Sequence, residues 1–294
     1  MEFGSEPQPQ SAQRMYDSRA AKYDDSWHPS YAIRFTSHLS ISPGDTVLDL
    51  CCGTGLNVFA VADRVGPDGR VIGIDISEGM LAVARQKQVA DPDLSKRCLL
   101  LKGDVMHLDD VFAAAGLGDR KGAFDRITCC SGLVLLDDPS AALRHWKTFL
   151  KPQGRMAIDV PHQHNLRSGV ILERVAKRLG VALPFNRSWV ESSESFVKLA
   201  AEAGLELEQT GGQEVLERVM GEGITSYGLD EANEQFDKVT RGSLTAGLDV
   251  EEFRERARPL FREEWERAAV DGRVEVADAL YLYIVRKKEK SEVW

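Results

Sequence analysis

Val47-Leu48-Asp49-Leu50-Cys51-Cys52-Gly53-Thr54-Gly55 decides the fold. Val47, Leu48 and Leu50 form a short apolar run of the kind buried on both faces of a parallel sheet, and Gly53 and Gly55 free the backbone to turn tightly. Leu56 to Val65 follows with apolar residues at helical spacing, which puts Leu56, Phe59, Ala60 and Val65 on the expected buried side. Strand, glycine turn and helix in that order build a small-ligand site. Glycines let a ligand approach the main chain, and a helix start offers unpaired N–H groups.

The rest of the chain limits what that ligand is. A length of 294 residues with 43% hydrophobic content is enough to bury about three quarters of the unfolded surface, so one large domain, or one domain with an insertion, is expected. The net charge of -9 and a pI near 5.3 argue against nucleic acid as a partner, whose footprint would be a basic patch. Cys51, Cys52, Cys98, Cys129 and Cys130 are odd in number and lack zinc-ligand spacing, so they read as core thiols in a reducing compartment, with no metal. No signal-peptide pattern or membrane-length apolar span is read, so the expectation is a soluble cytoplasmic protein without membrane insertion.

A dinucleotide fingerprint needs a third glycine, at the position held here by Val58. What remains, Asp49 with Gly53 and Gly55 at +4 and +6, resembles the first motif of the class I S-adenosylmethionine-dependent methyltransferases, a family that usually has glycine at the position of Cys51 as well. The start of the chain is similar to the same family. Met1 to Gln10 reads as a disordered lead-in, after which Tyr16-Asp17-Ser18-Arg19-Ala20-Ala21-Lys22-Tyr23-Asp24 matches a Tyr-Asp-x-x-Ala-x-x-Tyr-Asp segment that closes over the cofactor. The spacing of Tyr16 and Tyr23 by itself fits a packing stripe equally.

Later strand ends extend the resemblance. The second strand, Arg70 to Ile76, ends at Asp75, where a carboxylate can accept from both hydroxyls of a ribose; dehydrogenases share that spacing. Ser77 reads as an N-cap, and Met80 beyond it is either an adenine neighbour, as the resemblance implies, or plain core. Cys98 to Lys102 is a third strand closed by Gly103-Asp104-Val105, a family signature in which Asp104 would accept the adenine amino group and the Val105 amide would donate to a ring nitrogen. Phe124 to Cys130 is a fourth strand. The loop after it has Cys130, Leu133, Val134 and Leu135 where the family has Asn and a pair of histidines or aromatics, which implies a greasy wall rather than a base.

Lys151-Pro152-Gln153-Gly154 reads as a turn before a fifth strand, Arg155 to Val160, and Pro161-His162-Gln163-His164-Asn165 should then face the site. His162 and His164 are candidate general bases, or merely solvated. Leu205 to Gln209 and Ala279 to Val285 are further strands, an antiparallel pair in the family, here separated by about seventy residues that are largely helical and charged. That insertion is a cap over the acceptor pocket or an arm for a homodimer; Phe185, Arg187 and Trp189 are candidate lining of the same pocket.

The whole pattern implies an α/β fold: a Rossmann-like seven-stranded sheet, mostly parallel with an antiparallel last strand, helices on both faces and a helical cap insertion. Residues 11–210 and 274–290 would form the methyltransferase domain and 211–273 the cap. The resemblance implies methyl transfer from S-adenosyl-L-methionine to a small-molecule acceptor, quinone-like or a secondary metabolite, by in-line displacement. The cofactor would be held by Tyr16, Tyr23, Asp49, Cys51, Gly53, Gly55, Asp75, Ile76, Met80, Asp104, Val105 and Cys130. The readings kept beside it are a fold relative that binds the cofactor but catalyses another reaction, and a non-catalytic binding subunit.

Overall fold

The computed structural model describes residues 7–181, 183, 185–208, 216–242, 245 and 248–288, with backbone alone for 216–222. Its centre is an eight-stranded sheet in the order β3-β2-β1-β4-β5-β8-β6, with β7 also pairing with β8. The strands are β1 (Thr46–Leu50), β2 (Arg70–Asp75), β3 (Cys98–Lys102), β4 (Phe124–Cys129), β5 (Leu150–Pro161), β6 (Leu205–Leu207), β7 (Leu216–Gly228) and β8 (Arg273–Lys287). β1 to β5 run parallel, and β8 pairs antiparallel with β5, β6 and β7. The order reverses at β1 between β2 and β4, the kind of switch point at which ligands bind in open α/β sheets.

Helices cover both faces because β1 and β2 are apolar on both. Leu48, Leu50, Ile72 and Ile74 face a core built with α6 (Leu108–Ala114), α7 (Pro139–Trp146) and α9 (Glu194–Glu202), where Phe112, Trp146 and Phe196 are fully buried. Val47 and Val71 face the other way, onto α2 (His28–Ser37), α3 (Leu56–Val65) and α4 (Glu78–Ala90). α3 buries Asn57, Val58, Val61, Ala62 and Val65, so the face expected from Leu56, Phe59 and Ala60 is rotated. The polar Asn57 conceals the true stripe from an apolar count: it turns inward because it donates to Asp49, at 2.5 Å, and to Thr128.

Four other expectations shift. α1 (Gln8–Arg19) starts inside the segment read as a disordered lead-in, with Pro9 in the first turn, where its missing N–H costs nothing; residues 1–6 lie outside the described residues. Lys151 to Gly154 is a bulge within β5 rather than a turn before it, since Phe124 pairs with Leu150 and Arg126 with Arg155. β6 stops at Leu207, and Gln209 lies outside the described residues. The insertion contributes β7, which raises the strand count from the expected seven to eight. β8 is long enough to receive it, because its 273–279 half projects beyond the segment that pairs with β5.

The insertion also has a core of its own. α10 (Ala232–Thr240) and α11 (Glu251–Ala268) pack on α8 (Arg167–Arg178), burying Phe236, Phe261 and Trp265 with Ile171, Leu172 and Val175. Among the described residues no helix is long and apolar enough to cross a membrane, and no group of three or more metal-ligating side chains occurs.

Candidate functional site

The main cavity, about 310 Å³, opens at the carboxyl ends of β1 to β4. Tight backbone turns make it. Cys51 has φ 55 and Gly53 φ 54, both left-handed, and Gly55 with φ 81 starts α3. The left-handed conformation at Cys51 accounts for the glycine usual at that position in the resembling family, since a side chain there is strained by about 1–3 kcal/mol. Ser131, after β4, is left-handed as well, with φ 58.

Asp75, at the end of β2, is 8% exposed. Its two carboxylate oxygens accept from the main-chain N–H groups of Gly53 and Ser77, each at 2.8 Å, which fixes the carboxylate across the turn. Burial raises its pKa to about 6 against the opposing effect of those two bonds. Asp104 likewise accepts from the Met106 N–H at 2.8 Å, and Ser77 caps α4 by accepting from Met80 N–H. Met80, only 1% exposed, reaches the cavity between them.

The N-terminal segment closes one side. α1 ends at Arg19 and a 3-10 turn carries Ala20–Asp25, so Tyr16 and Tyr23 do not share one continuous α-helix. Their rings nevertheless meet edge to face at 6.2 Å, with the Arg19 guanidinium over both. Burial drives the Tyr16 hydroxyl up to about 12, which keeps it neutral and a donor. The aspartates of the doubled Tyr-Asp pattern are the fasteners. Asp17 accepts from Ser77 Oγ at 2.6 Å and from Gly79 N–H at 2.8 Å, and Asp24 accepts from Thr54 Oγ1 at 2.6 Å and pairs with Lys87. The sequence reading singled out the tyrosines and passed over these acids, although the repeat contained them.

Ten of the twelve expected cofactor residues line this one cavity: Tyr16, Tyr23, Cys51, Gly53, Asp75, Ile76, Met80, Asp104, Val105 and Cys130. Gly55 does not. It sits behind the turn, where an added Cβ would fall 2.6 Å from the Phe59 ring. Asp49 lines a smaller adjoining cavity of about 40 Å³ that shares Tyr23, Cys51, Gly53, Cys130 and Ser131 with the main one. Asp49 Oδ1 is held by Asn57 and Thr128, while its Oδ2 is buried with no partner among the described residues. Burial pushes its pKa up to about 7.

The apolar loop after β4 supplies Leu135 and Leu136 to the wall, while Leu133 and Val134 turn into the core. Asp159, two residues before the end of β5 and marked by no turn motif in the sequence, accepts from Tyr31 Oη at 2.6 Å and from the Ser131 N–H, and so holds the loop in place. His162 and His164 line none of the three described cavities. His162 packs against Tyr281, with ring centroids 4.9 Å apart, and His164 lies 3.5 Å from Glu275. Burial lowers the His164 pKa.

A third cavity, about 320 Å³, lies under the cap and includes Phe185 and Arg187 but not Trp189, which packs toward the α9 side of the sheet.

Residues 41–204 match the family model described as a methyltransferase domain. A demethylmenaquinone methyltransferase of Lactobacillus johnsonii is 38% identical over 125 residues, 42% of this chain and 47% of that protein. The chain thus spans about half the length of the curated relatives it matches. Among solved structures, a Bacillus halodurans protein assigned as a methyltransferase superposes with a TM-score of 0.55 at 17% identity, covering 88% of this chain and 100% of that one. The [4+2]-cyclase SpnF superposes with a TM-score of 0.55 at 16% identity, covering 98% and 100%. At these identities the superpositions establish a shared fold.

Proposed function

This chain belongs to the methyltransferase-domain family, and from that premise we propose that it is a class I enzyme that transfers a methyl group from S-adenosylmethionine to a small organic acceptor. The observation that carries this reading is the convergence of Asp75, Met80, Asp104 and Val105, from separate strand ends, on one cavity closed by the two tyrosines. The names of the curated relatives favour a quinone-like aromatic acceptor.

The residues fit that cofactor. Asp49 Oδ2 is a buried acceptor without a donor, next to the main cavity, as a site for an ammonium group requires. S-adenosylmethionine, when bound, supplies an electrophilic methyl group on a cationic sulfur, open to in-line displacement. Asp49 would hold its amino group, Asp75 its ribose hydroxyls, and Asp104 with the Val105 amide its adenine. Tyr16 and Tyr23, fastened through Asp17 and Asp24, exclude water from the reacting centre. The chain's main work is alignment, and a base is needed only for an acceptor that arrives protonated.

The test is calorimetry with S-adenosylhomocysteine, then mass spectrometry of a reaction with S-adenosylmethionine and a demethylated quinone. Equal amounts of methylated product and S-adenosylhomocysteine support the reading. Product formed with S-adenosylmethionine unconsumed would mark a non-methylating fold relative, and no affinity for either nucleoside would sink the enzyme reading.

A further inference from the structure

We propose that the cavity under the cap is a second ligand site, which binds an apolar organic carboxylate through the terminal nitrogens of Arg187, the Gln235 amide and Lys238. The site is distinct from the cofactor cavity and does not depend on what that cavity holds.

Arg187 is 7% exposed and lines the cavity. Glu173 takes one edge of it, accepting from Nε at 3.2 Å and from the Arg187 main-chain N–H at 2.9 Å. Nη1 and Nη2 make no hydrogen bond to any described residue, so the guanidinium presents unpartnered donors to the cavity. Its plane is held by the Phe185 ring, whose centroid lies 4.3 Å from Cζ. Gly169 makes room for it, since a Cβ there would stand 3.0 Å from Nη2. Burial lowers the Arg187 pKa and the neighbouring Glu173 carboxylate opposes that effect.

The other polar groups point to the same ligand chemistry. Gln235, 5% exposed, accepts from Ser168 Oγ at 2.9 Å through Oε1, which leaves its NH₂ as a donor with no partner among the described residues. Lys238, on the same cavity, is exposed and forms no ion pair among the described residues. Among the described residues no carboxylate lines the cavity, while Tyr227, Val239 and Val276 supply apolar wall. Two cations and a free amide donor with no anion beside them on the described wall, set among apolar side chains, suit a ligand that brings oxygens, negative charge and a hydrocarbon body. Asn186, between the two cavity-facing residues Phe185 and Arg187, donates from its main chain to Val134 O at 2.6 Å, which fastens this wall to the loop bordering the first cavity.

The experiment is calorimetry of the full chain with naphthalene-2-carboxylate and its neutral isostere naphthalene-2-carboxamide, with S-adenosylhomocysteine titrated separately into every variant. The carboxylate should bind at least about tenfold more tightly than the carboxamide, as a charge-assisted contact requires. Val239→Phe, which fills the cavity and leaves the Arg187–Glu173 pair intact, should abolish carboxylate binding. Lys238→Ala, at an exposed position that does not threaten folding, should weaken it roughly two- to fivefold. S-adenosylhomocysteine affinity should be unchanged in both. Equal binding of carboxylate and carboxamide overturns the proposal, as does carboxylate binding that survives Val239→Phe or is absent from the unaltered chain. Loss of S-adenosylhomocysteine binding in the unaltered chain, with the carboxylate profile as expected, overturns the proposed cofactor and leaves this site standing.

Discussion

The cavity at the ends of β1 to β4 and the cavity under the cap are nearly equal in size, about 310 and 320 Å³, yet their walls come from the chain in different ways. The first is lined largely by residues that follow on strand ends, and two of its carboxylates are braced by near neighbours, Asp75 by Ser77 and Asp104 by Met106, although Asp75 also accepts from Gly53 and Asp49 from Thr128. The second is held by contacts between distant segments, such as Ser168 to Gln235 and Arg178 to Glu264. The strand-end turns of the first cavity therefore follow from local backbone geometry, whereas the second cavity depends on the packing of the insertion's own core.

The strongest way to separate the two is through that core. Trp265 is fully buried, stacks on Phe261 with centroids 5.8 Å apart, and donates from Nε1 to Gly228 O at 3.1 Å. Trp265→Ala should cost about 3–5 kcal/mol of cap stability. In hydrogen exchange, α11 and α10 should lose protection while β1, β2 and α3 keep theirs, and S-adenosylhomocysteine should still bind. Simultaneous loss of protection in the sheet would show that the two regions fold as one cooperative unit.

The converse change strikes the other cavity. Asp75→Ala removes the group that joins the Gly53 and Ser77 amides and faces the ligand space. A loss of about a hundredfold in S-adenosylhomocysteine affinity is expected, in line with charge-assisted hydrogen bonds of about 1.5–3 kcal/mol. The cap exchange pattern should not move. An affinity within threefold of the parent protein would mean that Asp75 only shapes the turn.

A third, smaller effect uses protons. Folding raises the Asp49 pKa from 3.8 to about 7 and that of Asp75 from 3.8 to about 6. Each contributes stability that is fully present below pH 3.8 and is lost as pH rises through the folded value, so the ligand-free protein should weaken between about pH 4 and 7. A bound ammonium reverses the preference at Asp49 by favouring its ionised form. S-adenosylhomocysteine affinity should thus rise about twentyfold from pH 6 to 8, about tenfold through Asp49 and about twofold through Asp75, and Asp49→Asn should leave only the twofold share of Asp75. An unchanged slope in the variant would place the amino group away from Asp49.

The same contrast explains what the sequence reveals. Strand-end acids and turn glycines are legible because their turns are set within a few residues, and ten of the residues that the family resemblance implies line one cavity. Asn57 was not legible: it reads as a break in an apolar stripe until its partners Asp49 and Thr128 are brought beside it. Nor was β7. Gly221 and Gly223 interrupt its pattern, and its pairing with β8 shifts register between Val219 and Ile224, so the strand is specified by its partner more than by itself. Asp159 carried no signal either, since no glycine turn follows it as one follows Asp49, and its role shows only in what it holds.

The histidines provide the smallest expected effect and the sharpest check on reading a loop from its position. His162 and His164 follow β5 and by topology should face the ligand, yet the β7–β8 ribbon occupies their side: the His162 N–H donates to Ala279 O at 3.1 Å and the Ala277 N–H donates to His164 O at 2.8 Å. The loop is thereby spent on joining β5 to the base of the cap. His164, its pKa lowered by burial, is neutral at pH 7 and has Glu275 beside it rather than open cavity. His162→Ala and His164→Ala should each leave turnover and S-adenosylhomocysteine affinity within about twofold, because neither removes a group from the cavity wall. A tenfold fall in turnover with intact nucleoside binding, accompanied by loss of a titration from the rate profile, would instead make one of them the base and require the loop to turn inward when the acceptor binds.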